Sequence, residues 1–432
     1  MASISDLFID QLYGMARQEL PHEVLEQAKL CLLDYMGCAL AGSRLMAERN
    51  QCFLDNVKKQ GGLSSVIGFE QKTTLQNAAF LNAMSTHSTE LDDGHRFGMI
   101  HLGASIFSAL LPVAELEDIA YSDVLKGAVI GYETAVRIAV AMQPSHKVRG
   151  YHTSGTCGTL GSAMAIATAM HFSREGMKST LSAAAASAAG LLEMQEDDSE
   201  LKPYNLAHAA VAGVMAAYTA KAGFVGPSDP MGGRRGMLAV MSDKPNVEFL
   251  TDFTSDCFEI ERIYRKPYAA CRHCHPAIEA TLRIKSEHHL HPDDIASVLV
   301  ETYKLAVGGH DHKDVQGVAS AKLSIPFSVA LALMKDKAGL DDFSLENTLD
   351  TNILSLCQKI DVVANEMLTS WSPQKRAAIV HIITKNGEKH SYEVDYPKGE
   401  PENPMSRKDV EDKYRELTKG LKINNFYREY GL

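Results

Sequence analysis

Four stretches of the chain gather residue types that can move protons or hold anions. The first is His87-Ser88-Thr89-Glu90-Leu91-Asp92-Asp93-Gly94-His95-Arg96, followed by His101-Leu102-Gly103. Its carboxylates and imidazoles can supply a general base or ligate a metal. The same composition also fits a solvated acidic loop with a helix cap at Asp92 or Asp93. The second runs Arg149-Gly150-Tyr151-His152-Thr153-Ser154-Gly155-Thr156 into a long series of Gly, Ser and Ala. Ser154, Thr156 and Thr159 are each candidate N-caps there. Gly155, Gly158 and Gly161 do not have the spacing of a dinucleotide or P-loop fingerprint. The third is Glu196-Asp197-Asp198-Ser199-Glu200-Leu201-Lys202-Pro203-Tyr204-Asn205, leading to His208. Lys202 beside four acids reads either as a carboxylate-binding group or as an ion-pair cluster at the surface.

The fourth stretch is Lys266-Pro267-Tyr268-Ala269-Ala270-Cys271-Arg272-His273-Cys274-His275-Pro276. Cys271-x-x-Cys274 with two histidines invites a zinc reading, but a structural site needs a second ligand pair. The nearest histidines are His310 and His312, with no cysteine between them. Alternatively, Arg272, His273 and His275 present cationic and proton-carrying groups at the start of a helix, where the backbone dipole favours an anion. No stretch holds a nucleophile elbow, a P-loop or a closed metal signature. Together they fit proton abstraction next to a carboxylate, with Lys, Arg or His holding the anionic groups and the developing enolate.

The elements that must position these groups follow from composition and periodicity. A chain of 432 residues exceeds one compact core and predicts two domains. The net charge of −11, with no basic block to offset it, argues against a nucleic-acid partner. The first residues carry no basic n-region and no apolar run, so no secretory signal is expected, and no apolar run has the length of a bilayer span. Eight dispersed cysteines fit reduced thiols better than a disulfide framework. The expectation is a cytoplasmic protein with no membrane association.

Residues 1 to about 250 read as helix almost throughout, at Val24–Leu33, Asp34–Ala41, Asn77–Ser85, Ala104–Leu116 and Asp123–Met142. Ser64–Phe69 has strand character but no evident partner. Alanine and glycine dominate from about 104 to 223, which predicts closely packed helices. Beyond Gly226-Pro227 the pattern becomes mixed. Ser297–Tyr303 reads as a strand, and Asn386-Gly387 reads as a hairpin turn with positive φ at both positions. Helices are expected at Pro276–His288, Pro326–Lys335 and Ser406–Gly420, the last one returning to the helical part.

These residues resemble the MmgE/PrpD family. The resemblance rests on Glu90-Leu91-Asp92-Asp93 with His101-x-Gly103, on Gly131-Tyr132-Glu133 with Arg137, and on Tyr151-His152-Thr153-Ser154-Gly155-Thr156. It continues through Lys202-Pro203-Tyr204-Asn205, Lys266-Pro267-Tyr268 with His273 to Pro276, Ser324-Ile325-Pro326-Phe327, and Lys398-Gly399-Glu400-Pro401. It implies a mainly α fold with an α+β part: a large all-helical domain (1–258 with 400–432) plus a smaller α/β lid domain (259–399). It also implies a homodimer with no cofactor and no metal, acting on a small di- or tricarboxylate.

Known members include 2-methylcitrate dehydratase, cis-aconitate decarboxylase and iminodisuccinate epimerase. Carried over motif by motif, His101, His152, Lys202 and His275 are the expected catalytic residues. Glu90, Asp92, Asp93, Tyr151, Thr153, Lys266, Tyr268, Arg272 and His273 are the expected substrate-binding ones. Two departures stand out: Gly94 where dehydratase and decarboxylase members commonly carry threonine, and Leu102 where proline is usual. The resulting expectation is a metal-independent lyase. An epimerase of a substituted dicarboxylate and a non-catalytic or zinc-binding protein are the alternatives.

Overall fold

Every residue of the helix Thr153–Ala169 is buried in the computed structural model, which describes residues 2–196, 199–253, 257–422 and 424. Asp197 and Asp198 of the third stretch lie outside the described residues. Small side chains explain how a helix can be enclosed on all sides. A Cβ placed on Gly161 would sit 2.8 Å from the Gly131 carbonyl oxygen, and one on Gly131 would sit 2.8 Å from that of Gly161. Thr153–Ala169 and Tyr121–Met142 therefore meet backbone to backbone. The helices Gly103–Glu117, Arg174–Ser187 and Lys202–Lys221 pack around the same centre.

The N-cap of Thr153–Ala169 is His152, and none of the three hydroxyl residues expected to cap it does so. The His152 carbonyl instead accepts the first turn's N–H groups, from Gly155 at 2.9 Å and Thr156 at 3.2 Å. The hydroxyls of Ser154, Thr156 and Thr159 fall inside the helix.

The chain divides into two compact units. One holds Met1–Met194, Leu201–Tyr264 and Ser406–Leu432; the other holds Gln195–Glu200 and Arg265–Met405. The breaks after Tyr264 and Met405 fall a few residues beyond the 258 and 399 read from the sequence. In the first unit, His22–Leu45 is one unbroken helix lying against Leu75–Ser88 and against the C-terminal helix Arg407–Leu417. Ser406 caps that last helix with a reciprocal Asp409 bond, and the helix ends at Leu417, before Gly420. Ser64–Ser65 does have a strand partner, the antiparallel segment Lys72–Thr73 a few residues on.

The second unit is built on a four-stranded sheet in the order Ile360–Ala364, Ile295–Thr302, Ala378–Thr384, Lys389–Val394. The first pair is parallel and the others antiparallel. Burial alternates strictly along Ala378–Thr384. Helix His275–His288 packs on that strand and on Lys389–Val394, and helix Ile325–Lys335 packs on Ile360–Ala364. The expected hairpin forms, but its loop is longer than a two-residue turn. Only Gly387 takes positive φ (+90°), while the Asn386 side chain accepts the Glu388 N–H at 3.2 Å.

The architecture is thus mainly α with a smaller α/β part. No single described helix is long and apolar enough to cross a membrane.

Candidate functional site

In the helical unit, three chain segments bring the first, second and third stretches to one place. The helix Leu75–Ser88 ends at the acidic loop, and Glu90 follows with a left-handed φ of 56°. For a side chain other than glycine that conformation costs about 1 kcal/mol or more, and such strain collects at functional sites. The loop then turns through Asp92 and Asp93 to His101 at the head of Gly103–Glu117. Lys202 stands at the head of Lys202–Lys221, where Pro203 presets the first turn.

Each of these groups is held by a specific bond. Lys202 Nζ forms a buried ion pair with Glu90. His87 Nδ1 lies 2.8 Å from Asp92 Oδ2, and His101 Nδ1 lies 3.6 Å from that same oxygen. His101 Nδ1–H donates to the Asp93 carbonyl at 2.8 Å, so its Nε2 carries the lone pair when the ring is neutral. The His87 and His101 rings are 4.9 Å apart, edge to face. The backbone N–H of His101 is held by Ser154 Oγ at 3.0 Å, which ties the loop to the central helix.

Asp93 acts as the loop's internal strut. Its carboxylate accepts the Gly103 N–H at 2.8 Å and the Tyr132 hydroxyl at 2.5 Å. Burial pushes its pKa up to about 6, helped by the Asp34 and Asp92 charges, although the Tyr132 and Gly103 bonds oppose the rise. From behind, Lys413 of the C-terminal helix donates to Asp34 and to the Leu91 carbonyl, each at 2.7 Å.

At His152 a buried ring nitrogen is left over, as it is at His87, whose Nε2 also makes no hydrogen bond among the described residues. The His152 backbone N–H donates to the Gly190 carbonyl at 3.1 Å, so its position is fixed. Its ring is buried, yet Nδ1 has no hydrogen-bond partner among the described residues. Burial holds its pKa well below the usual histidine value. The positive fields of His87, Lys202 and His101 act in the same direction, and Glu90 alone opposes them. The ring is therefore neutral at physiological pH. Those same neighbours place it beside the Lys202–Glu90 pair and the two loop histidines.

The other residues expected from the second stretch serve the scaffold. Thr153 Oγ1 accepts from Gln143 at 2.9 Å. Tyr151 stacks on His146 with ring centroids 4.7 Å apart. His146 in turn joins the Met241 carbonyl (2.9 Å) to Thr156 (2.8 Å). The Glu133–Arg137 pair of the Gly131-Tyr132-Glu133 motif is a buried brace at 2.6 Å, and it also holds the Glu259 N–H at 2.9 Å.

The fourth stretch lies in the α/β unit, where its expected site residues bond to neighbours within that unit. Arg272 is committed internally: its guanidinium donates to Glu400 (3.0 Å), to the carbonyls of Pro397 (3.1 Å) and Lys398 (3.0 Å), and to His275 Nδ1 (2.9 Å). His275 is fully buried and its Nε2–H donates to the Ala270 carbonyl at 3.1 Å. Both ring nitrogens are thus engaged, by Arg272 and by the Ala270 carbonyl. Lys266 is fully buried, and Tyr268 packs edge-on against His275 at 5.3 Å. His273 meets the Tyr303 hydroxyl at 2.5 Å.

Four participants are absent from the sequence-derived site list. His87 and Tyr132 lie inside stretches already quoted, so a signal existed. Lys413 and its partner Asp34 had none, because nothing local connects positions so far apart in the chain.

The family model described as MmgE/PrpD N-terminal domain matches residues 9–250, and the MmgE/PrpD C-terminal domain model matches residues 268–423. A cis-aconitate decarboxylase-like protein of Aspergillus oryzae is 26% identical over 429 residues, spanning 93% of this chain and 88% of that protein. A cis-aconitate decarboxylase of Aspergillus terreus is 23% identical over 428 residues, spanning 94% and 87%. The human cis-aconitate decarboxylase is 25% identical over 238 residues, spanning 52% and 48%.

Proposed function

The chain belongs to the MmgE/PrpD family, and on that premise we propose that it is a lyase of dehydratase or decarboxylase type acting on a small di- or tricarboxylate. The observation that carries this reading is the neutral, buried imidazole of His152, with Nδ1 unbonded, beside a lysine and two histidines. A substrate carboxylate competes with Glu90 for Lys202, so the lysine stays paired while the displaced Glu90 carboxylate still faces His87 Nε2, 3.8 Å away. The arriving anion also raises the proton affinity of His152, because opposite charge favours the imidazolium. The base thus becomes competent when substrate is bound.

Both lyase directions use the same proton relay. In a dehydration, His152 takes the proton from the carbon next to a carboxylate, and a protonated loop histidine gives one to the departing hydroxyl. The products are an alkene acid and water. In a decarboxylation, the C–C bond breaks to release CO2, and the carbanion left behind takes a proton from the imidazolium. Asp92 orients His87, and the Asp93 carbonyl fixes the His101 tautomer. These steps assign every proton to a side chain and call on no metal ion.

One observation favours a second reading, an epimerase of a substituted dicarboxylate. A Cβ at Gly94 would lie 2.3 Å from the Tyr264 hydroxyl and 2.8 Å from the Ile100 carbonyl. The tyrosine fills the space where dehydratase and decarboxylase members commonly carry threonine, which alters the pocket's hydrogen-bonding groups.

Turnover of a panel of di- and tricarboxylates in deuterated water, followed by NMR, tests the reading. A lyase yields an unsaturated acid, with deuterium at the new C–H after decarboxylation. An epimerase returns deuterium in a product of unchanged formula. No turnover of any panel member, with ligand-induced stabilisation also absent, contradicts both.

A further inference from the structure

We propose that Cys271, His273 and His310, in the α/β unit, form a binding site for one divalent transition-metal ion of the zinc type. The Cys-x-x-Cys pairing suggested by the sequence is not the arrangement found. Cys274 is fully buried at the end of a short turn, whereas Cys271 is partly accessible. The ligand atoms of Cys271, His273 and His310 all lie within 4.8 Å of one another. The set joins Cys271 and His273 to His310, which lies 39 and 37 positions further along the chain.

The atoms are already turned toward one another. Cys271 Sγ stands 4.0 Å from His310 Nε2, and the His273 and His310 rings stack with centroids 5.0 Å apart. Tetrahedral zinc, with bonds of about 2.0–2.3 Å, holds its ligand atoms about 3.5 Å apart. An inward shift of roughly 0.5–1 Å would therefore close the set on an ion.

The surroundings also suit metal ligation. His310 Nδ1–H donates to the Leu323 carbonyl at 2.9 Å, which fixes the tautomer and leaves Nε2 to coordinate. His273 Nδ1 meets the Tyr303 hydroxyl at 2.5 Å, and when that hydroxyl accepts the Nδ1–H the lone pair is on Nε2. Metal-bound histidines usually have their second nitrogen held in this way. One thiolate and two imidazoles match zinc, cobalt or nickel better than calcium or magnesium, which prefer oxygen. Binding releases the thiol proton to solvent, so affinity rises with pH. Three protein ligands leave a fourth position for water or an anionic ligand. The proton relay proposed for the helical unit does not require this ion.

Cobalt(II) titration of the full-length, metal-stripped protein tests the proposal. A thiolate-to-cobalt charge-transfer band should grow in and saturate at one equivalent, and zinc should displace it. Cys271→Ser should abolish the band, while Cys274→Ser and Cys52→Ser should keep it. Tyr303→Phe should weaken zinc binding by about tenfold. His310→Asn, checked by circular dichroism, gives a second route should Cys271→Ser fail to fold, and it should weaken binding by tenfold or more. Absence of the band, or its survival in Cys271→Ser or unweakened in His310→Asn, overturns the proposal.

Discussion

His152 and His275 are both buried histidines at the head of a helix, and both come from stretches rich in chemistry. Their surroundings separate them. His275 sits between Arg272 and the Ala270 carbonyl, with both nitrogens engaged. His152 has a buried nitrogen with no hydrogen-bond partner among the described residues and four charged or polar neighbours. A buried polar atom left unbonded costs about 1–3 kcal/mol, so a fold retains one only where something else compensates. An engaged imidazole stabilises the unit it sits in, whereas an unengaged one is available to a substrate.

The sharpest way to break this comparison is to remove each ring. His152→Gln should lower kcat by about 10²–10⁴-fold with an unchanged melting profile, as steady-state kinetics and calorimetry would show. Across the comparison, Arg272→Met should cost about 3–5 kcal/mol in stability, because it takes the guanidinium away from the buried Glu400 carboxylate. Chemical denaturation measures that loss. An equal loss of stability in His152→Gln would erase the distinction.

A pH titration sharpens the account of the loop. The folded pKa of Asp93 lies near 6, above its ordinary 3.8, so the folded state holds the proton more tightly than the unfolded chain. The contribution of Asp93 is therefore most favourable below pH 4 and is lost as pH rises through 6. The loss amounts to about 3 kcal/mol across that window. Asp93→Asn should flatten this part of the stability profile measured by denaturant at each pH. The smallest effect belongs to Gly94→Ala, which should cost about 2 kcal/mol by crowding Tyr264 and the Ile100 carbonyl. Thermal denaturation checks it.

The helical unit was legible from the sequence because its elements are long and carry small residues at the close approaches. Helix existence at Leu75–Ser88, Gly103–Glu117 and Tyr121–Met142 follows from periodicity alone. The short strand Ile360–Ala364 escaped notice, since five residues carry little periodicity and its partner Ile295–Thr302 is far away in sequence. The N-cap at His152 was misread because three hydroxyls nearby looked like better caps, but burial turned them inward.

Within the site, the acidic loop, His101 and Lys202 were visible as residue types at suggestive spacing. Sequence could not rank His152 above His275, because both are histidines before a helix. The ranking depends on which nitrogens find partners, and those partners, such as the Lys398 carbonyl, come from distant chain. Lys413 was illegible for the same reason: its bond to the Leu91 carbonyl links the last described helix to the first loop of the site.

The most direct test of the central claim is deuterium incorporation from solvent, followed by NMR, in the wild type and in His152→Gln with a carboxylate that the wild type turns over. The account predicts deuterium in the wild type at the carbon that lost CO2 when the substrate is decarboxylated, and in recovered substrate through the reverse hydration when it is dehydrated. It predicts none in the variant, although the variant is still thermally stabilised by the same carboxylate. Incorporation at an undiminished rate in folded His152→Gln would contradict the assignment of His152 as the group that moves the proton.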